Sequence, residues 1–160
     1  MPSHSESERI AKDSNVVYLN RRATDRVVKI WQDATDKETI RENIDSTLWD
    51  NCFLLALDEL IDCSVIIDHG QKVGCGLHLS TQKTHNFKNL PPSLREKIFT
   101  LSHACVKTRS PRHHAEELSG SEEIPVKRYR LALVPLLSAE ERIDESTYPI
   151  STVLGVFTYQ

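Results

Sequence analysis

Apolar positions along the chain gather in four short β-rich runs, set as two pairs around a stretch of helical periodicity. Cys52–Leu57 (CFLLAL) and Cys63–Asp68 (CSVIID) make the first pair; Lys127–Ser138 (KRYRLALVPLLS) and Ser151–Gln160 (STVLGVFTYQ) make the second. The first run is apolar throughout, which predicts a strand covered on both faces. Ser64–Ile67 is β-branched and apolar and predicts the next strand. Asp68-His69-Gly70 ends it: Gly70 can take positive φ, and Asp68 can bond the turn backbone. In the third run Tyr129, Leu131 and Leu133 alternate with Arg128, Arg130 and Ala132, so one face is expected to be buried. Pro135 lacks a backbone donor and belongs at an edge, a bulge or a strand end. In the last run Val153, Gly155, Phe157 and Tyr159 alternate with Leu154, Val156 and Thr158.

The remaining apolar residues recur at helical spacing. Thr24 can cap a helix starting at Asp25, with Val27, Val28, Trp31 and Ala34 on one face. Thr35 and Glu38 have capping-box spacing, which predicts a second helix from about Asp36 carrying Ile40, Ile44 and Leu48 as a narrow stripe. Each stripe needs cover, from the sheet or from a second copy of the chain. Residues 71–89 give weak signals, interrupted by Gly74 and Gly76, and read as short helices and loops. From Pro92 or Ser93 to about Lys107 the chain predicts its best helix. Counting from Leu94, Ile98 falls at about 40°, Leu101 at about 340° and Cys105 at about 20°, one stripe facing the core. Residues 111–118 are a further candidate strand, with His113 and His114 exposed on it, and 139–148 is an acidic loop.

Composition narrows the class. With 160 residues and 39% apolar content the chain is one domain with a tail. A net charge of −3 gives no electrostatic reason to expect nucleic acid. No apolar run approaches the roughly 20 residues of a membrane span. The N-terminus is polar, without the apolar segment of a secretory signal, so the expected location is cytoplasmic. Residues 1–22 are expected to be disordered, with Val16–Leu19 as an apolar island that packs loosely or meets a partner. Cys52, Cys63, Cys75 and Cys105 lie in apolar surroundings and are expected to be buried free thiols.

In this order of elements the chain resembles a PAS domain. In that family two strands are followed by short helices, a longer connecting helix and three strands of an antiparallel five-stranded sheet. Cys52–Leu57 and Cys63–Asp68 match the first two strands, Ser93–Lys107 the long helix, and residues 111–160 the last three strands. Arg130-Leu131-Ala132-Leu133-Val134-Pro135-Leu136-Leu137-Ser138 is similar to the R-L-x-L-P-L-S strand of divergent alphaproteobacterial single-domain PAS-like proteins. Ala139-Glu140-Glu141 stands where those have an Asp-Gly pair. A GAF domain, with a related sheet but a longer helical frame, is the structural rival. The resemblance implies an α+β fold: a five-stranded antiparallel sheet with short helices and one longer helix on one face, preceded by N-terminal helices. It divides the chain into a tail (1–22), a helical extension (23–47) and a PAS-like sensory domain (48–160).

The resemblance also implies an apolar pocket between sheet and long helix. Phe53, Leu55, Ile98, Leu101, Leu131, Leu133, Val153 and Phe157 are its candidate lining, and the same residues serve equally as ordinary core. Val27, Val28 and Trp31 are the candidate surface for a homodimer or a protein partner, if the sheet leaves them uncovered.

Haem is a known ligand of the family, but His103 falls at about 180° on the helix, opposite the apolar stripe, and is expected at the surface. Cys75 and His78 form a C-x-x-H pair without a second pair to complete a zinc site. No catalytic motif is present, and an enzyme is not expected. The expectation is therefore a cytoplasmic sensor or adaptor in bacterial signalling, acting by protein–protein contact. No cofactor is assigned, and an unknown small molecule is admitted as a ligand. A ligand-free scaffold is the alternative reading, and a haem or metal sensor the third.

Overall fold

The computed structural model describes residues 22–77, 79, 80, 82, 84–117, 128–137 and 151–160. The expected tail with its Val16–Leu19 island, the 139–148 loop and His78 lie outside these residues. The order along the chain is α1 (Ala23–Asp33), a 3-10 segment (Lys37–Asn43), α2 (Ser46–Trp49), β1 (Cys52–Leu57), β2 (Val65–His69), α3 (Gln71–Gly76) and β3 (His85–Asn86). It continues with α4 (Pro92–Thr108), β4 (Arg112–Glu117), β5 (Arg128–Leu137) and β6 (Ser151–Tyr159).

The strands form one sheet in the order β3-β2-β1-β6-β5-β4, with every neighbour antiparallel. The fold is α+β, one antiparallel sheet with short helices and one longer helix, α4. It has six strands rather than five, because the two residues of β3 pair with Val65 and Ile66 at the far edge. β1 and β6 are the central strands, which accounts for their apolar runs: a strand covered on both faces has no solvent side to alternate with. Towards one face, Phe53, Leu55, Leu131, Leu133, Val153 and Phe157 join Leu94, Ile98 and Cys105 of α4 in one buried cluster. Towards the other, Cys52, Ala132, Val134, Leu154 and Val156 join Val27, Val28, Ile40, Ile44, Leu48 and Trp49 in a second.

The helices therefore lie on both faces, not on one. α1, the 3-10 segment and α2 cover the second face and share its core. This corrects the reading of Val27 and Val28 as a free dimer surface: they are 1% and 9% exposed against the sheet. Trp31 is half-buried, and its indole Nε1–H donates to Pro135 O at 2.7 Å. Lys37 lies over the Trp31 ring at 4.4 Å and donates to the Trp31 and Ala34 carbonyls. The stripe of α1 spends itself on its own sheet.

Local departures have local causes. α1 begins at Ala23, not Asp25, and Thr24 is buried within it rather than capping it. The predicted second helix is a 3-10 segment followed by α2. Asp45 Oδ1 accepts from Leu48 N–H at 2.8 Å and so caps a new helix, while Ile40, Ile44 and Leu48 still reach the core. Cys63 lies in a 3-10 turn (Ile61–Cys63) and is exposed, as is Cys75 on α3; only Cys52 and Cys105 are buried. Gly70 has φ −81°, not positive φ. It is needed because α2 leads into β1 so closely that a Cβ there would lie 2.0 Å from Trp49 O. Pro135 sits beyond the last β4–β5 pair, next to a bulge between Pro135 and Leu137. The left-handed C-cap of α4 falls on Arg109 (φ 52°), with Ser110 N–H donating to Cys105 O.

Burial pushes the Cys52 and Cys105 thiols up to about 12, so neither supplies thiolate near neutrality. Iodoacetamide on the native protein is expected to label Cys63 and Cys75 quickly, and Cys52 and Cys105 only after denaturation. Peptide mass mapping checks this, and rapid native labelling of Cys105 would contradict the packing.

Candidate functional site

The candidate pocket residues do converge. Phe53 and Leu55 from β1, Leu131 and Leu133 from β5, Val153 and Phe157 from β6 and Ile98 from α4 are each 0–1% exposed in one cluster. Leu101 is only partly buried and packs at its margin. The buried row of α4 is Leu94, Ile98, Ser102 and Cys105, so the stripe is centred one residue away from Leu101. Ser102 Oγ is buried there without a hydrogen-bond partner. Its small side chain carries no periodic apolar signal, so the sequence pattern passed over it.

These side chains pack on one another in one buried cluster. A Cβ on Gly155 would lie 2.2 Å from Phe53 Cζ, so the Phe53 ring occupies the volume over β6. Phe157 stacks on Tyr129 at 5.3 Å and lies 5.7 Å from Tyr159. Cys105 Sγ–H donates to Leu133 O at 3.4 Å, tying α4 to β5. Two surface depressions formed by described residues lie elsewhere. The larger, an open groove of about 660 Å³, runs along the end of the sheet between α1 and β4–β6; Arg26, Lys72, Glu117, Arg128 and Arg130 are among its lining. The smaller, about 290 Å³, lies between the start of α1 and His113, His114 and Arg130. The outward alternation of Arg128 and Arg130 on β5 was the one sequence signal pointing there.

At the groove's edge Tyr129 O–H donates to Glu116 Oε2 at 2.9 Å, and the His114 ring lies 3.3 Å from the same oxygen. The Tyr129 hydroxyl, then the His114 ring, hold the Glu116 carboxyl below its ordinary range. Burial, reinforced by the carboxylate, pushes the Tyr129 phenol above its own.

Three further histidines tie elements together. His103 is half-buried rather than free at the surface: its Nε2 meets Asp58 O at 2.9 Å, and its ring lies edge-on to Phe99 at 4.5 Å. His85 is buried beside His69, ring centroids 5.2 Å apart, and both rings reach the Gln82 carbonyl, at 2.6 and 2.9 Å. His69 Nδ1 lies 2.9 Å from Gly70 O. This junction, which ties the segment after α3 back to β2, left no mark in the sequence because its acceptors are backbone carbonyls. Among the described residues no three His, Cys, Asp or Glu side chains gather as a metal centre, and no helix is long and apolar enough to cross a membrane.

No protein-family profile matches the chain, and no curated protein does. Among solved structures, a sensory box sensor histidine kinase from Vibrio cholerae is similar, with 14% identity and a TM-score of 0.42. The match covers 71% of this chain and 88% of that one.

Two consequences are measurable. Gly155→Ala is expected to destabilise the protein by about 1–3 kcal/mol, because the buried Phe53 ring has nowhere to move. Urea unfolding checks it, and an unchanged midpoint would mean slack in the core. Glu116, lowered in the fold, contributes stability that is present above its ordinary value of 4.5 and is lost as pH falls through the lowered one. Tyr129, raised in the fold, contributes stability that is present below 10 and is lost as pH rises above it. Tyr129→Phe is therefore expected to flatten the fall in thermal midpoint at both ends. Unchanged slopes in both ranges would contradict the pair.

Proposed function

We propose that the chain is a signalling module of PAS type that acts through contacts with other proteins and holds no small molecule in its core. The observation that carries this reading is the close packing of side chains between sheet and α4. Phe53, Leu55, Leu131, Leu133, Val153 and Phe157, which would have to stand back to admit a ligand, pack on one another and on Ile98 instead. The charged groups are at the surface, where they meet other molecules rather than a buried guest. The proposal is of a binding module and not an enzyme. The two buried thiols, pushed up to about 12, are unsuited to act as nucleophiles, in keeping with this.

The test is an absorbance spectrum of the natively purified protein, followed by mass spectrometry of its denatured extract. The expected result is a colourless protein with no stoichiometric small molecule. A defined compound retained at one per chain, and lost in Leu133→Trp, would overturn the reading.

A further inference from the structure

β4 ends the sheet. Its inner side pairs with β5 from Arg112↔Leu133 to Glu117↔Arg128, and among the described residues no strand pairs with its outer side. Such an edge offers a row of backbone donors and acceptors, and proteins usually blunt it with like charge, proline or a covering element. Here the six residues read Arg-His-His-Ala-Glu-Glu. The first half is basic or titratable to basic and the second half is acidic. Run antiparallel to itself, this strand meets its opposite.

The geometry restricts how. Two copies joined edge to edge by a two-fold axis perpendicular to the sheet keep each face continuous, so opposed residues must point to the same face. Registered opposite Ala132, Arg130 and Arg128, His113, Ala115 and Glu117 share the α1 face. Opposite Leu133, Leu131 and Tyr129, Arg112, His114 and Glu116 share the α4 face. Two registers centred on the strand satisfy the rule. The axis at His114 sets Arg112 against Glu116 of the second copy but leaves His114 against its own copy and His113 against Ala115. The axis at Ala115 sets His113 against Glu117 of the second copy and His114 against its Glu116, with the small Ala115 side chain at the crowded centre. In the second register both histidines of the strand face a glutamate of the second copy, on both faces of the sheet, while Arg112 lies beyond the paired residues. His113, Ala115, Glu116 and Glu117 are exposed and in place to make these pairs.

We propose that the outer edge of β4 is a homodimer interface, in which a second copy of the chain adds its own β4 antiparallel about Ala115 to make a continuous twelve-stranded sheet. This surface is separate from the N-terminal stripe, which the fold covers.

The test is sedimentation equilibrium of the full chain from about 1 μM to about 1 mM, since so short an edge implies weak association. Wild type is expected to pass from monomer to dimer within this range. His113→Glu places carboxylate against carboxylate and is expected to weaken association about tenfold or more, and Glu117→His to weaken it similarly. The double variant H113E/E117H sets histidine against glutamate again and is expected to recover wild-type association to within about threefold. Both positions are exposed, and far-UV circular dichroism of each variant checks that it folds. A wild type that stays monomeric to about 1 mM overturns the proposal, as does a dimer indifferent to both single changes. A double variant as weak as the singles also overturns it.

Discussion

Everything in this fold depends on giving the sheet two dry faces. The central strands β1 and β6 present apolar side chains in both directions, Phe53 and Leu55 to one side, Cys52, Leu154 and Val156 to the other. At roughly 25 cal/mol per Å² of apolar surface removed from water, leaving either face bare would forfeit a large share of the stability of so small a domain. α4 meets the need on one side. On the other it falls to residues 23–49, whose helices are too short and too few to stand alone. From this segment Val27, Val28, Ile40, Ile44, Leu48 and Trp49 form the helical side of the second cluster.

That requirement explains where polar chemistry can sit. Both faces are occupied, so side chains able to reach another molecule are left at the sheet's ends and edges. The groove with Arg128 and Arg130 lies at one end, and the alternating charges of β4 line one edge. Several buried and half-buried polar groups hold elements together. His69 and His85 share the Gln82 carbonyl, His103 meets Asp58 O, and the Trp31 indole reaches Pro135 O. The Phe53 ring lies directly over Gly155.

Much of this was legible beforehand, and the reasons differ by element. The four main strands and α4 announced themselves because periodicity is strong where burial is strong. The continuous run of Cys52–Leu57 correctly implied cover on both faces. What covered the second face was not legible. The Val27–Val28–Trp31 stripe is the same whether it meets its own sheet or another molecule, and only the tertiary structure decides. Seven of the eight candidate pocket residues lie in one buried cluster with Leu101 at its margin, but periodicity cannot tell a lined cavity from a filled one. Gly70 was recognised as special for the wrong reason: close approach of Trp49 O, not left-handed backbone, demands it. The histidine contacts to carbonyls were invisible, since a backbone acceptor has no residue type.

The claim that α1 is an integral layer is tested most directly by native-state hydrogen exchange. If α1 covers the sheet as an equal part of the core, amides of Val27, Val28 and neighbouring residues exchange with nearly the same opening free energy as those of β6, in one global unfolding step. If α1 amides exchange orders of magnitude faster while β6 stays protected, the helix is a detachable strap and the two-faced core is not the unit of stability.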